Sequence, residues 1–127
     1  MSNMAVIATA DAPQAIGPYS QAIKVNDVVY LSGQIPLDPE TMEMVAGDVT
    51  AQALQAFNNL QAVARAAGGE LNRCAKVNIF LTDLNDFNAV NEVMKQFFDA
   101  PFPARACVQV AALPRGAQIE LDAIMVL

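Results

Sequence analysis

The chain has 127 residues, 54% apolar and 16% charged, with a net charge of −6 and only seven lysines and arginines. That length predicts a single domain, residues 1–127, with a core that needs no staple, and the acidic balance argues against nucleic acid as a partner. Histidine is absent, which removes the commonest acid–base group and the commonest zinc ligand and leaves carboxylates, thiols and tyrosines for chemistry.

No apolar run approaches the length of a membrane span. Met1–Ala10 has neither a basic opening nor a long apolar centre, so no signal peptide is expected. Two cysteines, Cys74 and Cys107, lack the CxxC spacing and suggest reduced thiols in a cytoplasmic setting. So apolar a chain is expected to bury its excess surface between subunits.

In chain order, Ala5–Thr9 predicts a short edge strand, and Asp11–Ser20 a loop punctuated by Pro13, Gly17 and Pro18. Gln21–Val25 and Val28–Gln34 flank Asn26-Asp27, a two-residue hairpin turn. Asp38–Gly47 reads as an exposed excursion. Asp48 is a predicted N-cap for a helix to about Ala67, with Val49, Ala53, Phe57, Leu60, Ala64 and Ala67 on one stripe and Gly68-Gly69 as its stop. Cys74–Thr82 alternates Val77, Ile79 and Leu81 with Lys76, Asn78 and Phe80, the period of a strand. Asn85 or Asp86 is expected to cap a second helix with the stripe Phe87, Val90, Met94 and Phe97. Asp99–Pro103 then leads into Ala104–Leu127, two strand-like runs around Pro114-Arg115-Gly116-Ala117.

The order is β-ββ-α-β-α-ββ, so an α+β fold is expected, with two helices on one face of a mixed sheet of about six strands. Read as an antiparallel hairpin, the last two runs pair Leu113 with Gln118, Cys107 with Ile124 and Arg105 with Val126. One face would then carry Ala104, Ala106, Val108, Val110, Ala112, Ile119, Leu121, Ala123 and Met125 under the helices. The other would carry Arg105, Cys107, Gln109, Glu120 and Asp122. In that register Arg105 and Glu120 are six residues apart along the hairpin, roughly 20 Å. A site using both would draw them from two subunits.

Each candidate has a functional and a plain reading. Arg105 offers a planar fork for a carboxylate, or else an interface ion pair to Glu120 or Asp122. Glu120 is a possible base or a solvated strand carboxylate. Cys107 has no histidine or lysine near it in sequence to form a thiolate, so nucleophilic chemistry is the weaker reading. Tyr19 either covers the core or faces a ligand, and Gly33, after Ser32, allows close approach to the backbone.

Three motifs in order, GPYSQAI at Gly17–Ile23, LSGQIP at Leu31–Pro36 and FPARACVQVAALPRGAQIELDAI from Phe102, closely resemble the RidA (reactive intermediate deaminase) family. The resemblance runs from about Ile7 to Val126. It implies a chorismate-mutase-like fold, a homotrimer with sites between subunits, and hydrolysis of 2-imino acids or their enamine tautomers to 2-keto acids and ammonia, with no metal or cofactor. By the same resemblance, Arg105 holds the substrate carboxylate and Glu120 orients or activates the water. Tyr19, Gly33 and Cys107 would bind substrate; Ser32, beside Gly33, and Asn88, on the second helix, are counted with them, and Asp122, which has no such family role, is taken as structural. Two departures stand out: Met42 replaces a usual glycine, and Ala106, expected to face the helices, replaces a frequent serine. The rivals are a chorismate mutase, which one arginine and two carboxylates suit poorly, a non-catalytic ligand-binding or chaperone-like protein, and a ribonuclease, which the charge opposes.

Overall fold

The computed structural model describes residues 3–127. Its sheet contains β1 (Met4–Ile7), β2 (Ala22–Val25), β3 (Val28–Gln34), β4 (Cys74–Leu81), β5 (Ala104–Gln109) and β6 (Ile119–Val126), with helices α1 (Val49–Ala66) and α2 (Phe87–Met94). The strands run in the order β1-β2-β3-β6-β4-β5, antiparallel except for the β4–β5 pair.

Local chemistry sets the expected elements. Asn26 turns the β2–β3 hairpin with φ 53°, a left-handed conformation that asparagine tolerates better than most residues. Asp48 caps α1 by accepting from the Ala51 N–H at 3.1 Å, and Gly68 ends it with φ 94°. The buried side of α1 is Val49, Ala53, Ala56, Phe57, Leu60, Val63 and Ala64. Phe57 stacks on Phe97 at 5.2 Å and meets Phe98 edge-on at 6.1 Å, joining α1 to the segment after α2. Ile119, Leu121, Ala123 and Met125 of β6 complete the core with Val77, Ile79 and Leu81 of β4.

Two expectations are corrected. The second helix is preceded by a 3-10 turn, Leu84–Asp86, in which Asp83 accepts from the Asn85 N–H at 2.9 Å; neither Asn85 nor Asp86 is the capping side chain. The C-terminal hairpin does not form. β4 lies between β5 and β6, so β5 pairs in parallel with β4, and residues 110–118 cross over the end of β4. The crossover is held by Val110 N–H to Leu81 O at 2.8 Å and by a 3-10 turn at Pro114–Gly116.

This pairing reverses the faces assigned to β5. Leu31, Ala123, Val77 and Arg105 form one row across the sheet on the helix side, with Ile79 and Cys107 in the next. Ala104, Ala106 and Val108 therefore lie on the open face, and Ala106 does not face the helices. The open face carries Tyr30, 51% exposed, and Val108, 44% exposed. Three buried amides pin loop and strand-end backbone to the body of the fold. Gln21 Nε2 donates to Pro13 O at 2.8 Å, Asn59 Nδ2 to Leu37 O at 2.9 Å, and Gln52 Oε1 accepts from Gln118 N–H at 2.8 Å.

Candidate active site

Arg105 and Glu120 occupy two separate recesses. Arg105 is level with Ala123, two strands away, and Glu120 is three residues further along β6 on the opposite face. The offset is roughly 10 Å across the sheet and roughly 10 Å along it. The expectation that they do not meet within one chain holds, although they do not share a face.

The Arg105 recess is a cleft of about 540 Å³ between α2 and the approach to β5, lined by Asn88, Asn91, Met94, Phe102 and Pro103 among others. Arg105 Nη1 donates to Asn91 Oδ1 at 2.5 Å and approaches Met94 Sδ at 3.6 Å. Its guanidinium carbon lies 5.1 Å from the centre of the Phe87 ring. Phe87, Asn91 and Met94 are four and three residues apart, one stripe of α2 aimed at this side chain. Among the described residues the ion pair is Lys95–Glu92, and no carboxylate pairs with Arg105. The guanidinium is fixed by an amide, a thioether and a ring, while Glu92, which lines the same cleft, pairs with Lys95 instead. Within one chain Arg105 lies on the opposite sheet face from Glu120 and Asp122 and forms no ion pair with either.

Asn88 lines this recess, but Asn91, one turn on, makes the hydrogen bond to Arg105. The sequence signal for Asn91 is its four-residue spacing from Phe87, which places it beside the apolar stripe of the helix. Cys107 lies on the same face two residues beyond Arg105 and packs partly against the core. Burial raises its pKa and the Arg105 charge only partly opposes that, so the thiol form is favoured. Cys74 is buried and its pKa is pushed up to about 12.

The Glu120 recess, about 580 Å³, gathers Ile16, Tyr19, Ser32, Gly33, Pro114, Arg115 and Glu120. Ser32 and Gly33 sit where the β3–β6 register shifts. A Cβ on Gly33 would stand 3.0 Å from both Cδ and Oε2 of Glu120, so glycine here makes room for the carboxylate. Ser32 Oγ donates to Ser20 O and ties the Tyr19 loop to β3. Tyr19 is 50% exposed, with its hydroxyl accepting from Ile16 N–H at 3.4 Å. Burial, and secondarily the Asp122 charge, raise the pKa of Glu120. Asp122 accepts from Asn78 Nδ2 at 2.8 Å on the open face. Arg115, φ 57°, donates from Nη1 to Met42 O at 2.8 Å, and Met42 has φ 60°. Sequence reasoning passed over Arg115 because it was read only as part of a turn. Among the described residues no group of three or more His, Cys, Asp or Glu is placed to hold a metal ion.

A guanidinium without an ion pair among the described residues in one recess and a carboxylate of raised pKa in another lie on this α+β fold. Residues 9–127 match the family model described as Endoribonuclease L-PSP, and the chain belongs to that family. It is 51% identical over 127 residues to a 2-iminobutanoate/2-iminopropanoate deaminase of Dermatophagoides farinae, covering 100% of this chain and 99% of that one. RidA of the Antarctic bacterium Psychrobacter sp. PAMC 21119 superposes with TM-score 0.94 at 51% identity, covering 97% of this chain and 99% of that one. Escherichia coli TdcF, solved with bound serine, superposes with TM-score 0.92 at 47% identity, covering 97% and 98%. The RidA resemblance seen in the three motifs is borne out. Among the described residues no helix is long and apolar enough to cross a membrane.

Proposed function

We propose that this chain is a 2-imino acid deaminase whose site forms where the Arg105 recess of one subunit meets the Glu120 recess of another. The observation that carries the reading is the state of Arg105: fixed by Asn91, Met94 and Phe87, and free of any carboxylate among the described residues. Such a side chain is preorganised for a bidentate carboxylate. The deaminase names of close relatives and the serine bound to TdcF agree with a ligand of amino-acid size.

In the proposed reaction Arg105 holds the substrate carboxylate and sets the imine carbon beside a water held by Glu120. The water oxygen bonds to that carbon, and its proton passes through Glu120 to the nitrogen. The hydroxyl so formed gives its proton, again through Glu120, to the nitrogen as it closes to a carbonyl, and the carbon–nitrogen bond breaks to release ammonia and the 2-keto acid. A raised pKa makes Glu120 a better proton acceptor once it is ionised. The imine is already electrophilic, so positioning supplies most of the acceleration. Tyr19, Ser32 and Gly33 would shape the Glu120 side, Asn88 and Cys107 the Arg105 side. The exposed open face would be covered in a homotrimer acting in the cytoplasm. The family description favours a ribonuclease as the second reading, but a net charge of −6 without histidine suits a phosphodiester substrate poorly.

The test is ammonia release from freshly generated 2-iminopropanoate, followed by co-refolding of Arg105→Ala with Glu120→Ala. Equal mixing into cyclic trimers should restore about a quarter of wild-type activity per chain, because each mixed trimer contains one intact pairing. Activity in the mixture no greater than in the separate variants, with hybrids verified by mass spectrometry, would refute a shared site.

A further inference from the structure

We propose that Arg115 is a second anion site in the Glu120 recess, and that the substrates include 2-imino acids with a second carboxylate, such as 2-iminosuccinate and 2-iminoglutarate. This rests on the deaminase reading and extends it to a substrate class.

Cations are scarce in this chain, with seven lysines and arginines in 127 residues. Of the four arginines, Arg65 lies in the last turn of α1 and Arg73 donates to Val126 O at 3.0 Å. The other two, Arg105 and Arg115, each line one of the two recesses. A monocarboxylic imino acid needs one of them. The second lines the same recess as a carboxylate, Glu120, that would repel any further anion entering, and a cation in that recess offsets the repulsion.

The backbone holds Arg115 in place. It has φ 57° and is followed by Gly116 at φ 72°, a left-handed conformation that residues other than glycine rarely adopt. That turn sets the side chain at the recess, where one N–H bonds Met42 O at 2.8 Å. A guanidinium has five N–H donors, and no carboxylate pairs with this one among the described residues. At about 580 Å³ the recess has space beyond a four-carbon acid and its water. Hydrolysis of a diacid balances as before: carbon–oxygen forms, carbon–nitrogen breaks, ammonia leaves, and no redox partner is required.

The rival role for Arg115 is a clasp on the Asp38–Gly47 excursion through Met42. Arg115→Gln separates the two, because its amide still donates to that carbonyl while the charge is gone. Arg115→Lys keeps the charge. The imines are generated in situ by flavin-dependent amino-acid oxidases acting on glutamate and 2-aminobutanoate. The quantity read is the ratio of kcat/KM for 2-iminoglutarate to that for 2-iminobutanoate. A ratio cancels any unfolded fraction.

Wild type should hydrolyse both imines above their spontaneous rates. The ratio should fall about 10-fold in Arg115→Gln and be largely retained in Arg115→Lys. Equal ratios in wild type and Arg115→Gln would overturn the proposal. So would wild-type activity on 2-iminobutanoate with none on 2-iminoglutarate. Inactivity on both imines would instead overturn the deaminase reading, and this proposal with it.

Discussion

Gly33→Ala tests whether the exact placement of Glu120 matters for turnover. The new Cβ would lie 3.0 Å from Cδ and Oε2 of Glu120 and 3.4 Å from Cγ, against an ordinary carbon contact of roughly 3.5–4.0 Å. The carboxylate must therefore retreat by about 0.5 Å. Gly33 is absent from the positive-φ residues, so alanine fits the backbone and, by restricting the unfolded chain, offsets about 0.4–1 kcal/mol of the strain. Stability should change by less than about 1 kcal/mol, or a few degrees in Tm. Activity should respond more: a misplacement of about 1 Å can cost ~100-fold, so about 0.5 Å should lower kcat by about 10-fold. KM should move little, because Arg105 is untouched. The assay pairs steady-state ammonia release from 2-iminobutanoate with thermal unfolding, repeated in a Glu120→Ala background where Gly33→Ala should add nothing. Full kcat in a folded Gly33→Ala protein would refute the argument, as would an equal further loss in the Glu120→Ala background.

Three other outcomes are expected. Arg105→Lys should retain the fold and lose about 1.5–3 kcal/mol of transition-state binding in kcat/KM, since an ammonium lacks the planar fork; near-normal turnover would remove Arg105 as the clamp. Because the pKa of Glu120 is raised above its ordinary 4.5, its carboxylate is lost at a higher pH as acid is added. The acid limb of kcat/KM should therefore lie above 4.5, and Asp122→Asn, which removes the second cause of the shift, should move it down; an unmoved limb would count against Glu120 as the titrating group. Gly69→Ala would place a Cβ 2.8 Å from Met125 Sδ and 2.9 Å from Leu127 Cδ2, an overpacking cost of about 1–3 kcal/mol that thermal unfolding should show as a lower Tm.

Where the fold was readable from sequence, a local signal agreed with burial. The Asp48 cap, the Asn26 turn, the Gly68 stop and the alternation of β4 and β6 all lie where the pattern placed them. β6 was unambiguous because Ile119, Leu121, Ala123 and Met125 are all buried while Glu120 and Asp122 are not. β5 carried a contrast that pointed the wrong way. One parity is Ala104, Ala106 and Val108, the other Arg105, Cys107 and Gln109, and hydrophobicity alone sends the first set to the helices. Placement at the sheet edge decides otherwise. The helix side of an edge strand meets only the margin of α2, where Asn91 and Phe87 accept a guanidinium that a central strand could not bury.

The turn at Pro114–Ala117 misled for a related reason. Pro, Arg, Gly and Ala between two apolar runs suit a hairpin, but the same residues also suit a crossover, and a turn signal does not say which strand comes next. The missing information was non-local: β4, some thirty residues earlier, takes the place beside β6 that β5 would have filled. Both pairings nevertheless keep Arg105 and Glu120 apart within one chain. In the hairpin the distance was along the strands; in the structure it is across β4 and through the sheet. A single chain thus holds the Arg105 guanidinium at the helix-side edge and the Glu120 carboxylate on the open face. One ligand can engage both only if a second copy turns its open face toward the first copy's β5 edge. The exposed Val108 and Tyr30 on that face are the surface such a copy would cover, so closure of the proposed site and burial of the apolar excess are satisfied by the same contact.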